Sequence, residues 1–102
     1  MKLKFTYHDS TLDAVKQTPR GDLVFEVGLC PGYDTRSGPA TLMLHDVRNS
    51  RFGRRVVEFL NDRLATGRWY EFHGLREGRR GGFVVMVDEW HFFLDAKSFT
   101  EM

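Results

Sequence analysis

Leu23-Val24-Phe25-Glu26-Val27-Gly28-Leu29-Cys30 is the stretch that decides the fold class. Leu23, Phe25, Val27 and Leu29 fall on one side of an extended backbone, and Val24, Glu26, Gly28 and Cys30 on the other. That period of two marks a strand with one buried face. The pattern continues in both directions. Upstream, Thr18-Pro19-Arg20-Gly21-Asp22 is a turn, punctuated by Pro and Gly. Before it, Leu12–Lys16 reads as a strand of weaker pattern. Leu3, Phe5 and Tyr7 alternate with Lys2, Lys4 and Thr6, which predicts a first short strand. Downstream, Pro31–Pro39 is a polar loop of about nine residues, a place where binding residues often lie. Ala40–Val47 is then a further strand, with Leu42 and Leu44 on one side and Met43, His45 and Val47 on the other.

The period changes after Asn49. Phe52, Val56, Phe59, Leu60 and Leu64 recur at helical spacing, which predicts an amphipathic helix over about 51–66. Asn49 or Ser50 is placed to cap its start, and Gly67 suits the left-handed position beyond its end. Arg51, Arg54, Arg55, Glu58 and Asp62 fall on its outer face, where Arg54 and Glu58 are spaced to pair. Strands resume at Trp69–Leu75. Glu77-Gly78-Arg79-Arg80-Gly81-Gly82 is a basic turn. Phe83–Asp88 is apolar enough to sit centrally in a sheet. Trp90, Phe92 and Leu94 follow after a break at Asp88-Glu89, and Ala96–Met102 is a polar ending anchored by Phe99. The reading is α+β: a mostly antiparallel sheet or sandwich of about six to seven strands with one helix.

A chain of 102 residues supports one core and therefore one domain. Nine Phe supply much of the core volume. No apolar run reaches the ~20 residues of a membrane span. The single Cys30 forms no internal disulfide, which with the basic but non-hydrophobic start predicts a cytoplasmic protein and an unreactive strand-end thiol. The formal net charge of +1 conceals segregation. Residues 48–80 carry nine arginines against Glu58, Asp62, Glu71 and Glu77, whereas residues 83–102 carry Lys97 against Asp88, Glu89, Asp95 and Glu101.

The polar residues assemble no recognised catalytic set. His8-Asp9-Ser10 could bring a base to a hydroxyl, but neighbouring side chains on a strand point to opposite faces. A tight turn explains it better. His8, His45, His73 and His91 lack the spacing of metal ligands, and no second Cys exists. Neither metal nor cofactor is expected. The glycine-rich basic turn lacks the Lys-Ser/Thr of a phosphate loop.

Two resemblances add to this reading. Phe5-Thr6-Tyr7-His8-Asp9-Ser10-Thr11-Leu12 resembles the opening of a group of small bacterial proteins, some of them immunity proteins of polymorphic toxin systems. Leu42-Met43-Leu44-His45-Asp46-Val47 and Phe93-Leu94-Asp95-Ala96-Lys97-Ser98 are similar to later strands of that group. The resemblance implies a compact β-rich domain without catalytic residues, acting by occluding a partner protein such as a toxin. Tyr33, Asp34, Arg51, Arg54, Arg55, Asp88, Glu89 and Trp90 are then the expected partner-binding residues. Asp34, Asp88, Glu89 and Asp95 would form an acidic patch as an alternative to the arginine face. Gly67-Arg68-Trp69-Tyr70-Glu71-Phe72-His73-Gly74-Leu75 is similar to a segment of OB-fold single-strand-binding proteins. That likeness implies nucleic-acid binding through Arg68, Trp69, Tyr70, Phe72, Arg79 and Arg80. No membrane partner is expected, and an edge strand could pair two copies into a dimer.

Overall fold

The computed structural model describes residues 1–34 and 36–102. In chain order the elements are β1 (Ser10–Gln17), β2 (Leu23–Leu29), β3 (Gly38–His45), α1 (Ser50–Leu64), β4 (Glu71–Glu77), β5 (Phe83–Val87), β6 (Trp90–Leu94) and β7 (Ser98–Glu101). The strands form one seven-stranded sheet in the order β6-β5-β4-β1-β2-β3-β7, with every neighbouring pair antiparallel. This is the α+β class expected, as a single sheet and not a sandwich of two.

The sheet curls. Asp13 is inserted against β2 and His73 against β5, and each extra residue bends its strand. The two edge strands, β6 and β7, are thereby brought close enough for three residues, Asp95–Lys97, to join them. Phe83 on β5 meets Phe99 on β7 edge-on at 5.3 Å. Inside this incomplete barrel, Leu23, Phe25, Leu42, Leu44, Phe72, Val85, Val87 and Leu94 are wholly buried.

β1 pairs with β4 only at Ser10 and Thr11 and then diverges from it. α1 fills the resulting gap. Asn61 Nδ2 donates to the free carbonyl of Val15 at 3.1 Å, so the helix satisfies part of the open edge of β1. Val56 and Leu60 are buried against the sheet, and Gly53 lets the helix come close to Leu23 and Val47. On its far side Phe59 packs edge-on against Trp90 at 5.1 Å and Phe92 at 5.8 Å.

Several expectations are corrected. Lys2–Tyr7 is not a strand. Its alternation does bury Phe5 and Tyr7, but its backbone donors go to carboxylates: Lys4 N and Phe5 N to Glu101, and Thr6 N to Asp34. It is a strap across one end of the barrel. Tyr7 (φ 58) and Asp9 (φ 54) then turn the chain into β1. The central strand of the sheet is β1, the one with the weaker pattern, while β5 lies one strand in from the edge. Asp46 (φ 54) ends β3 and redirects the chain, so Val47 is buried instead of sharing a face with Met43 and His45. The polar ending is itself a strand, β7. Asn49 makes no side-chain cap. Its amide accepts from Asp95 N at 2.8 Å and donates to Phe93 O at 2.9 Å, tying the helix start to β6. Arg54 and Glu58 form no ion pair among the described residues.

Candidate functional site: an arginine face at the start of the helix

Phe52 has the spacing of a core residue, yet it is 41 % exposed. Gly53 takes its place at the sheet, because the close approach of α1 to Leu23 leaves no room for a ring. Phe52 therefore lies in a groove of about 540 Å³ lined by Arg48, Asn49, Ser50, Arg51 and Arg55. Arg55 is three residues on from Phe52 and four from Arg51, so all three share one side of the helix.

A second groove, of about 520 Å³, shares Ser50 and Arg51 with the first. It adds Arg54 from the helix, and Arg20 with Gln17 from the β1–β2 turn and its approach. Neither lining contains an acidic residue. Among the described residues, none of Arg20, Arg48, Arg51, Arg54 and Arg55 lies within ion-pair distance of a carboxylate. The first turn of α1 also holds no acidic side chain. Cations at that end oppose the helix dipole, at roughly 0.3–1 kcal/mol each when exposed. An anion seated here relieves both this and the mutual repulsion of the guanidiniums.

The other expected partner-binding residues do not join this face. Tyr33 is exposed and meets the His8 ring edge-on at 4.0 Å. Asp34 is engaged by the N-terminal strap. Asp88 accepts from Glu71 N at 2.6 Å and holds the turn between β5 and β6. Asp95 lies beyond the opposite end of β6, about 20 Å from Glu89 along the strand. The acidic residues therefore do not gather into one patch. Trp90, the expected anchor, is half-buried between Phe59 and Tyr70, with the Arg63 guanidinium over its ring at 5.1 Å.

The residues expected for nucleic-acid binding are divided as well. Phe72 is wholly buried and Tyr70 nearly so, and neither presents a face to a base. Trp69 is 75 % exposed. Arg68 and Trp69 line a groove on each side, but Asp13 stands in one and Asp88 and Glu89 in the other, so the local charge is mixed. Arg79 sits in a separate groove with Glu77 near the glycine-rich tip.

His8-Asp9-Ser10 forms a turn. His8 Nε2 and Asp9 Oδ2 are 3.6 Å apart at the surface, whereas the Ser10 side chain is wholly buried. The turn is held by Ser10 N donating to Tyr7 O and by His8 N donating to the Thr6 hydroxyl, not by the side chains of Asp9 or Ser10. His45 bonds Thr100 at 2.6 Å, and His73 faces Glu71 at 3.7 Å. Among the described residues, no three His, Cys, Asp or Glu side chains gather as metal ligands. Among the described residues, no helix is long and apolar enough to cross a membrane.

The most strongly perturbed group is structural. Tyr7 donates to Glu101 Oε2 at 2.6 Å. Burial, reinforced by the adjacent Glu101 carboxylate, pushes its phenol well above the usual tyrosine range. In comparisons with protein-family models, curated proteins and solved structures, the chain matches none.

Proposed function

We propose that the protein is a non-catalytic binding module that recognises an acidic surface on another protein through the arginine face of α1. The observation that carries this reading is the convergence of Arg20, Arg48, Arg51, Arg54 and Arg55 on two adjoining grooves that contain no carboxylate. Guanidiniums are weakly hydrated and grip carboxylates bidentately, so they suit an interface better than lysines do. Complementary charge raises the on-rate and excludes basic partners. A partner held across the start of α1 would have its own acidic site covered, which is inhibition by occlusion. The separation of the surface pair His8–Asp9 from the buried Ser10 hydroxyl supports the non-catalytic part.

The test compares wild type with Arg51→Glu/Arg54→Glu/Arg55→Glu as bait in nuclease-treated lysate of the native host, followed by titration of the purified partner. The expected result is a stoichiometric acidic protein held by wild type and released by the reversal. Equal retention by both baits overturns the reading.

One observation favours a second reading, single-stranded nucleic-acid binding: Trp69 stands exposed beside Arg68. Base stacking on such a ring is worth about 1–3 kcal/mol per base. Salt-sensitive binding of an oligonucleotide, lost in Trp69→Ala, would support it.

A further inference from the structure

The arginine face contains an apolar feature that charge recognition alone does not use. Phe52 is seated among Arg48, Arg51 and Arg55, within the groove and not beside it. Single exposed apolar residues are ordinary on protein surfaces. This one differs in its frame, because it shares its groove with three guanidiniums, so a ligand seated there on Arg48, Arg51 and Arg55 also meets the ring.

The ratio of rings to cations indicates what that ligand is. A nucleic-acid strand carries one base for each phosphate and needs repeated stacking platforms along its track. Across the two grooves there are five arginines and one aromatic ring. A peptide with several carboxylates and one apolar side chain matches that ratio. Trp69 provides no comparable site, because Asp13, Asp88 and Glu89 in its grooves repel the same ligand.

We propose that the Phe52 groove is the anchor site for an acidic segment of a partner protein. One apolar side chain of the segment packs on the Phe52 ring. Carboxylates on one side of it reach Arg48 and Arg55, and those on the other reach Arg51, Arg54 and Arg20. The proposal rests on the protein-binding reading above and specifies the chemistry of that partner. The aromatic anchor supplies the hot spot, and the arginines supply register and on-rate.

The experiment uses two peptides, Glu-Asp-Glu-Leu-Glu-Asp-Glu and the same sequence with Ser for Leu, titrated by isothermal calorimetry into the full chain. Oligo-dT serves as a third probe. The Leu peptide is expected to bind wild type about tenfold more tightly than the Ser peptide, the scale of one well-buried apolar anchor. That preference should vanish in Phe52→Ala and persist in Phe52→Tyr. Both peptides should be lost in Arg51→Glu/Arg54→Glu. Equal binding of the two peptides overturns the anchor and leaves acidic recognition standing. No binding of either peptide overturns both. Oligo-dT bound more tightly than either peptide, with loss in Phe52→Ala, makes the groove a nucleic-acid site and also overturns the proposal. Circular dichroism checks that each variant folds, and Phe52→Ala alters an exposed position.

Discussion

Removal of the carboxylate of Glu101, the penultimate residue of this sequence, is expected to loosen the fold at its other end. Glu101 Oε1 accepts from Lys4 N at 2.7 Å, and Oε2 accepts from Tyr7 OH at 2.6 Å and from Phe5 N at 3.3 Å. The Tyr7 hydroxyl belongs to a side chain only 1 % exposed. In Glu101→Ala it is left buried without its acceptor, at about 1.5–3 kcal/mol for a bond to a charged group. The two backbone donors lose about 0.5–1 kcal/mol each, being closer to water. The total of about 2.5–5 kcal/mol is a large share of the roughly 5–15 kcal/mol available to a domain. Tyr7→Phe alone removes the donor and spares the two backbone bonds, so it should cost about 1.5–3 kcal/mol. In the double variant no hydroxyl is orphaned. Its cost should therefore fall short of the sum of the singles by about 1.5–3 kcal/mol. Urea unfolding of the four proteins, followed by tryptophan fluorescence with m-values compared, measures this coupling. Costs that add to within about 0.5 kcal/mol, as independent sites do, would refute the view that Tyr7 and Glu101 lock the strap.

Three further outcomes follow from the packing. Tyr7 keeps its proton in the native state above the ordinary tyrosine value near 10. Its contribution to stability is fully present below pH ~10 and declines as pH rises beyond it. Wild type should thus lose stability more steeply than Tyr7→Phe above pH 10; parallel alkaline unfolding curves would contradict this. Gly74→Ala combines a φ of 91° with a Cβ 2.9 Å from Tyr7 Cδ2 and should cost about 2–4 kcal/mol. Gly67→Ala has a similar φ of 81° but open space around it, and should cost only about 1–2 kcal/mol, both costs being read by urea unfolding. Asn49→Ala severs two bonds between the helix start and the β6 end, and should cost about 1–3 kcal/mol. Faster hydrogen exchange at Asp95 N would confirm that this link had opened.

How far the sequence could be read depended on whether local pattern and tertiary fate agreed. β2 was legible because its inward and outward faces keep strict alternation with no bulge against β3. β1 looked weak because Asp13 is an inserted residue that shifts the register midway. The strap imitated a strand because Phe5 and Tyr7 are buried on alternate positions, while the backbone partners that distinguish the two lie 28 to 97 residues away. β7 was hidden by its length of four residues and its polar outward positions. Within the site, Arg51, Arg54 and Arg55 were legible as an outward helix face. Arg20 carries no such signal, since only the folded chain brings the β1–β2 turn beside α1, and Arg48 lies outside the helical pattern. The spacing of Phe52 points to the core, yet the helix leaves it exposed. The signal against that was Gly53, a residue whose lack of a side chain allows the helix to settle on a different line. Tyr70 and Phe72 show the converse: the OB-fold likeness offers them as stacking rings, whereas their places in and beside β4 make them core next to an exposed Trp69.

Anion recognition at the start of α1 is the proposal on which the binding reading stands or falls. The most direct measurement is a 15N-resolved NMR titration of the full chain with poly-glutamate, repeated with oligo-dT. Poly-glutamate is expected to shift the amides and guanidinium signals of Arg20 and residues 48–55, with smaller effects at higher salt. Poly-glutamate leaving those signals unmoved, while oligo-dT shifts Gly67–Trp69, would contradict the proposal.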